Sequence, residues 1–332
     1  MKVSVVIPVY NGAATIGQCL ESLLPQTIAR YGCEIVVIDD GSSDETMSVL
    51  SHYKDVRVVR QPRNTGPAAA RNRGAQEAKG EIILFTDADC VPGENWVADM
   101  VGSFEDDPGV TGVKGVYRTR QRDLTARFVQ LEFEFKYEHM KQQEKIFFID
   151  TYSAGYRRQI FLESGGFDTG IPVASSEDIE LSFRLAAKGY RMVFNPRAYV
   201  YHQHPASWID YMKRKFKYAY WRAVVMRRYP NKALNDSYTP ITQKVQLLLV
   251  PIGMVALGLS FFHSTIWRWG AVAVWLSIGV SMLPFAALSL RKDWLATLAS
   301  PLFLIPRALV QALAVLAGAM RPLRRSARSA GA

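Results

Sequence analysis

Cysteine is scarce. Cys19, Cys33 and Cys90 are the only three in 332 residues, and their spacing fits neither a disulfide framework nor a metal-ligand pattern. A disulfide-stapled secreted domain is thereby excluded, and reduced thiols of the cytosolic kind are expected. The chain also lacks an apolar leader. Lys2-Val3-Ser4-Val5-Val6-Ile7-Pro8 begins at once, with no signal-peptide core before it, so the front is expected to stay in the cytosol. Charge, plentiful through the first 235 residues, thins out sharply afterwards. No internal repeat or low-complexity segment occurs before residue 290.

What is present has room for one large or two smaller domains. The formal net charge of +10 implies anionic partners: nucleotides, nucleic acid or lipid head groups. Val3 to Val9, Glu34 to Ile38, Val56 to Val59 and Ile82 to Phe85 read as buried strands. Helical spacing separates them, through Cys19 to Leu24, from a cap at Ser43 or Asp44 to Tyr53, and from Pro67 onward. Alternating strands and helices predict a mostly parallel, doubly wound α/β sheet. A dinucleotide-binding dehydrogenase shares that architecture, but its glycine-rich turn should follow the first strand. Tyr10-Asn11-Gly12-Ala13-Ala14-Thr15 does not supply one.

Acidic residues stand at the strand ends instead. Asp39 and Asp40 follow the second strand, and Asp87-Ala88-Asp89 follows the run Ile82 to Phe85. Ligands of open α/β sheets collect just beyond the carboxyl ends of strands. Paired carboxylates there suit a sugar hydroxyl and a hard divalent cation, Mg²⁺ or Mn²⁺, and the arrangement fits a metal-dependent nucleotide-sugar site. A solvated turn is the plainer alternative. Further on, Trp96 to Phe104 reads as a helix, Val110 to Val116 as a strand, and Asp123 to Glu144 as a helix carrying Phe128, Phe133, Phe135 and Tyr137. Those aromatics are expected to pack the sheet. Ser175-Ser176-Glu177-Asp178 opens another helix, capped by serine and acidic in its first turn.

Trp208 to Tyr229 interleaves lysine and arginine with aromatics, which taken alone also fits nucleic acid. The uncharged runs 245–262 and 271–290 that follow are long enough to span a bilayer, with spans expected at about 245–262 and 268–290, so a basic helix on an anionic leaflet is expected, and no nucleic-acid partner. The expected division is a catalytic domain over 1–204, an interfacial helix and linker over 205–235, and a membrane domain over 236–332. Pro301, Pro306 and Arg307 interrupt the third apolar run, 294–320, and Arg321, Arg324, Arg325 and Arg328 follow it. A broken, re-entrant or interfacial segment with a cytosolic C-terminus satisfies the positive-inside rule; a third crossing would not.

Five ordered motifs resemble family 2 glycosyltransferases: Val5 to Asn11, Ile38 to Asp44, Asn64 to Asn72, Thr86 to Asp89, and Ser176-Glu177-Asp178. The likeness covers roughly residues 1–230. It implies a GT-A fold (a Rossmann-like nucleotide-sugar-binding domain), here followed by a C-terminal helical transmembrane region. It also implies inverting transfer from a nucleotide-diphosphate sugar, with UDP-sugar favoured and GDP-sugar possible. By that resemblance Pro8 and Tyr10 line the base pocket, Asp40 bonds the nucleobase and Asp39 supports it. Asn64, Gly66 and Arg71 belong to the nucleotide-sugar site, although a surface salt bridge explains Arg71 equally well. Asp87 faces ribose or sugar, while Asp89 and His202 hold Mg²⁺ or Mn²⁺. Asp178, with Glu177 beside it, is the general base for an acceptor hydroxyl.

The Q-x-x-R-W signature of the polymer-building members is absent from Lys213 to Arg222, which favours transfer of single sugars. The expected acceptor is a lipid or lipid-linked saccharide at the cytosolic face of the inner membrane. A polyprenyl-phosphate glycosyltransferase and an inactive membrane scaffold or sensor are the alternatives.

Overall fold

The computed structural model describes residues 1–30, 32–171, 176–229, 237–261 and 265–321. Ser175, the 230–235 stretch of the expected linker, Phe262, Arg324, Arg325 and Arg328 lie outside the described residues. Two compact units result. One comprises Met1–Arg120 and Met140–Gln203, and the other Gln121–His139 and His204 onward. The division differs from a single cut at 204 because residues 121–139 belong to the helical unit.

The first unit runs β1 (Val3–Val9), α1 (Ile16–Arg30), β2 (Glu34–Asp39), α2 (Thr46–Leu50), β3 (Val56–Arg60), α3 (Pro67–Glu77), β4 (Ile82–Thr86), β5 (Val91–Pro92), α4 (Trp96–Asp106) and β6 (Val110–Arg118). After α5 (Leu124–Lys141) it resumes with β7 (Ser153–Arg157), α6 (Arg158–Glu163), α7 (Glu177–Ala187) and β8 (Arg191–Tyr201). The sheet order is β3-β2-β1-β4-β7-β6-β8-β5. The first four strands are parallel, as the alternating pattern predicts. β7 then runs antiparallel to β4 and β6, and β5 antiparallel to β8, so the sheet is mixed. β4 is buried at every position because it lies mid-sheet with packed elements on both faces. Val5, Ile7, Leu20, Leu84, Trp96 and Phe104 anchor its core.

Local details depart from the sequence reading at two helix starts. α2 ends at Leu50, not Tyr53, and its cap position is Glu45. Asp44 instead accepts from the Thr46 amide at 3.0 Å. Ser176 does occupy the cap of α7, but its hydroxyl makes no capping bond; the Ser176 amide donates to Glu177 Oε2 at 3.1 Å.

The helical unit contains the first part of α5, then α8 (Trp208–Met226), α9 (Ile241–Ser260), α10 (Thr265–Leu290), α11 (Trp294–Leu298) and α12 (Ser300–Met320). The α5 aromatics pack here and not on the sheet: Phe128 stacks on Phe303 at 4.3 Å and meets Tyr211, while Phe135 meets Phe285. Apolar partners on α10 and α12 exist only in the tertiary structure, which is why the sequence could not assign that face. The chain does break near Pro301, at Ala299, but α12 continues through Pro306 as one helix.

α9, α10 and α12 are each long and apolar enough to cross a membrane. α12 nonetheless lies alongside α8 from end to end. Trp208 Nε1 donates to the Leu302 carbonyl at 3.1 Å, Gly318 sits against Tyr220 and Ala223, and Arg227 donates to the Arg321 carbonyl.

Candidate active site

At the carboxyl ends of β1 and β2 two turns are tied together. Asn11, the one described non-glycine residue with positive φ (50°), donates its amide to Ser42 Oγ at 2.9 Å and accepts from the Ser43 amide at 2.9 Å. Asparagine tolerates this conformation better than most residues. Tyr10 before it stays half exposed, and Pro8 pairs with Ile38 inside the sheet.

The two aspartates at the end of β2, Asp39 and Asp40, have different partners. Asp40 Oδ1 accepts from Gln61 Nε2 at 2.8 Å, the Thr65 amide at 2.9 Å and Thr65 Oγ1 at 2.8 Å, and Oδ2 accepts from the Gly66 amide at 2.8 Å. Three of these bonds fall on Oδ1 and one on Oδ2, so Asp40 shapes the 61–66 loop while Oδ2 keeps one lone pair free. Asn64 also accepts from the Gly66 amide, at 3.0 Å. Asp39 accepts from the Ser42 amide through Oδ1, while its buried Oδ2 has no hydrogen-bond partner and lies 3.3 Å from Arg60 Nε.

Arg71 is 3% exposed on α3, so the surface salt bridge is ruled out. Its Nη2 donates to Asp87 Oδ1 at 2.6 Å and its Nη1 to Glu177 Oε1 at 3.1 Å. One guanidinium thus joins the acidic turn after β4 to the first turn of α7. Both carboxylates keep it charged, overcoming the penalty of burial. Neighbouring Asn72 clamps the Phe167 backbone, donating to its carbonyl at 2.9 Å and accepting from its amide at 2.8 Å.

Glu177 is therefore committed to Arg71 and the Ser176 amide. Asp178 is not. It accepts from the Ile179 amide through Oδ1 at 2.7 Å, and its side chain is only partly buried. Removal from water pushes its carboxyl well above the usual aspartate range, and the charges of Glu177 and Asp150 push the same way. Such a group takes up a proton more readily than an ordinary aspartate.

Asp89, Cys90 and His202 bring one ligand atom each within 4.8 Å of one another. His202 Nδ1 lies 3.7 Å from Asp89 Oδ1. Burial raises the Asp89 carboxyl, but the hydrogen bond and charge of His202 outweigh that and hold it below its ordinary value. A carboxylate oxygen and an imidazole nitrogen form a donor pair that Mg²⁺ or Mn²⁺ accepts. Cys90 fits poorly as a third ligand, because a hard cation such as Mg²⁺ or Mn²⁺ prefers oxygen donors to sulfur. His204 belongs elsewhere, in the helical unit, stacked on Phe133 with Nε2 3.0 Å from Gln130 Oε1.

The sequence reading missed Lys114 and Asp150. Lys114, fully buried in β6, pairs with Asp150 and donates to Tyr152 Oη at 3.2 Å. Tyr152 stacks on Tyr117, which stacks on His202 at 4.7 Å. The available signal was a lysine inside the apolar run Val110 to Val116, where a buried charge requires a partner.

Known proteins fit this geometry. Residues 4–165 match the sequence profile described as "Glycosyl transferase family 2". A pre-mycofactocin glycosyltransferase of Mycobacterium tuberculosis is 29% identical over 238 residues, 69% of this chain and 48% of the relative. The chain spans about half the length of such curated relatives. Among solved structures, the mannosyltransferase PcManGT from Pyrobaculum calidifontis, in complex with GDP-Man and Mn²⁺, superposes with a TM-score of 0.58. Identity to it is 22%, with 95% of this chain and 86% of that chain covered. GalNAc-T7 with UDP, GalNAc and Mn²⁺ gives a TM-score of 0.50 at 23% identity, over 61% of this chain and 43% of that one. The shared fold is the GT-A sheet, and residues 4–165, which hold the strand-end carboxylates, carry the family 2 glycosyltransferase profile.

Proposed function

We propose that the chain transfers a single sugar, with inversion, from a nucleotide-diphosphate sugar to a hydroxyl of a lipid or lipid-linked saccharide. The observation that carries this reading is the Arg71 bridge, which sets the acidic turn Asp87 to Asp89 beside the first turn of α7, where Asp178 stands. Asp178 takes the acceptor hydroxyl proton, the acceptor oxygen bonds to the anomeric carbon, and the bond from that carbon to the diphosphate oxygen breaks. A divalent cation held by Asp89 and His202 would supply positive charge for the departing diphosphate. Asp87 faces the ribose or sugar while Arg71 fixes its orientation. Tyr10 and Pro8 wall the base pocket, and Asp39 Oδ2, a spare acceptor at that strand end, takes a base N–H once the largely exposed Arg60 side chain swings aside.

Membrane placement follows from α8 and α12. α8 carries Lys213, Arg214, Lys217 and Arg222, and each charge at bilayer depth would cost roughly 3 kcal/mol or more. α12 lies along α8 throughout, so both occupy the cytosolic interface, with Leu302, Leu313, Leu316 and Met320 turned toward lipid. α9 and α10 are the two crossings.

The direct test is a panel of UDP- and GDP-sugars with Mg²⁺ or Mn²⁺, scored for transfer into membrane lipid. Turnover with one donor, abolished by chelation, is the expected result. Nucleotide binding without hydrolysis or transfer from any donor would instead favour a nucleotide-sugar sensor.

A further inference from the structure

Within the helical unit a pocket opens between α5 and the ends of the apolar helices, lined by Glu132, Lys136, Thr242, Gln243, Gln246 and Arg307 among others. Its charge does not balance. Glu132 is the carboxylate among the described lining residues, and three donors already hold it: it accepts from Tyr211 Oη at 2.9 Å, pairs with Lys215 at 2.9 Å and binds Arg307. Arg307 also donates to Gln246 Oε1 at 2.7 Å, yet its buried Nε has no partner. Lys136 is 8% exposed and hydrogen-bonds to no other described residue. Its ammonium has only the faces of Tyr238, at 4.4 Å, and Phe133, at 5.8 Å.

A buried cation with no hydrogen-bonded carboxylate among the described residues is costly. Among those residues Lys136, Lys215 and Arg307 share the single charge of Glu132, which leaves surplus positive charge and spare donors, as an anion requires. We propose that this pocket binds the phosphate of a lipid head group, with Lys136 as its principal ligand. The source is a lipid because Thr242, Gln243 and Gln246 stand in the first two turns of α9, where in the proposed placement the chain enters the bilayer past the head groups. Burial and the neighbouring Lys215 push the Lys136 ammonium well down, although Glu132 opposes this. A phosphate in the pocket would reverse that push. The inference is independent of which sugar the protein moves.

The test uses the full chain in neutral detergent, titrated with dodecyl phosphate, inorganic phosphate, pyrophosphate and zwitterionic dodecylphosphocholine. Saturable binding of dodecyl phosphate is expected, at one molecule per chain and at least about tenfold tighter than inorganic phosphate. Lys136→Gln should weaken it about tenfold or more, while Lys136→Arg keeps it within about threefold. Lys136→Gln removes an unpaired buried charge, so its melting temperature should not fall below wild type. Non-saturable binding to the wild-type chain would overturn the proposal without any variant. So would equal affinity in Lys136→Gln, and binding of inorganic phosphate as tight as that of dodecyl phosphate would overturn the lipid assignment.

Discussion

In the proposed reaction Asp178 is the general base, and burial with the charges of Glu177 and Asp150 raises its proton affinity above that of an ordinary aspartate. The sign follows directly. A carboxyl whose folded-state pKa is raised contributes stability below its unfolded pKa, and loses that contribution as pH rises through the folded value. Ionisation of Asp178 therefore costs the fold stability. Asp178→Asn should lower kcat by roughly 10²- to 10⁴-fold with donor affinity unchanged, and should raise the melting temperature. The acid limb of kcat/KM in the wild type should lie above the ordinary aspartate range. Full activity in Asp178→Asn would point to an acceptor that is already ionised, such as a lipid phosphate. Arg71 gives the opposite result. Arg71→Met strands Asp87 and Glu177 without their shared cation, and should cost about 3–5 kcal/mol of stability together with activity. Arg71→Met variants with unchanged melting and turnover would remove the bridge from the mechanism.

Two turns and a helix pair carry the argument at the level of elements. Gly41 has a φ of +77°, and a Cβ there would sit 2.7 Å from the Arg63 carbonyl carbon. The β2–α2 turn thus packs directly on the loop that Asp40 shapes. Gly41→Ala should destabilise by about 1–3 kcal/mol through strain and should weaken nucleotide binding more than it lowers kcat. Unchanged nucleotide affinity in a folded Gly41→Ala protein would separate this loop from the base pocket. The strands were legible because their apolar runs are unbroken, and the motif order placed the carboxylates at their ends. What each carboxylate does there was not legible. Asp40 and Asp39 are adjacent in sequence and look equivalent, but only Asp40 meets four donors from a loop more than twenty residues away.

For the whole molecule the open matter is how many times the chain crosses the bilayer. Hydropathy alone makes α12 a third span. In the proposed placement its partnership with a helix bearing Lys213, Arg214 and Lys217 keeps it at the interface, and a reporter fused after Ala332 should then read out on the same side as the N-terminus. A reporter active only on the far side would make α12 a crossing and would require α8 and α12 to separate in the membrane.

By itself the sequence determined the parallel strand run, the acidic strand ends, the first turn of α7 and the apolar helices, because each is a local pattern of period, charge or length. Tertiary structure alone decided which carboxylates are free to do chemistry. It also paired Lys114 with Asp150, turned the aromatics of α5 toward helices, and left Lys136 with no hydrogen-bonded carboxylate among the described residues. Those outcomes depend on which groups meet across long sequence distances, and a buried charge is defined by its neighbours, not by its place in the chain.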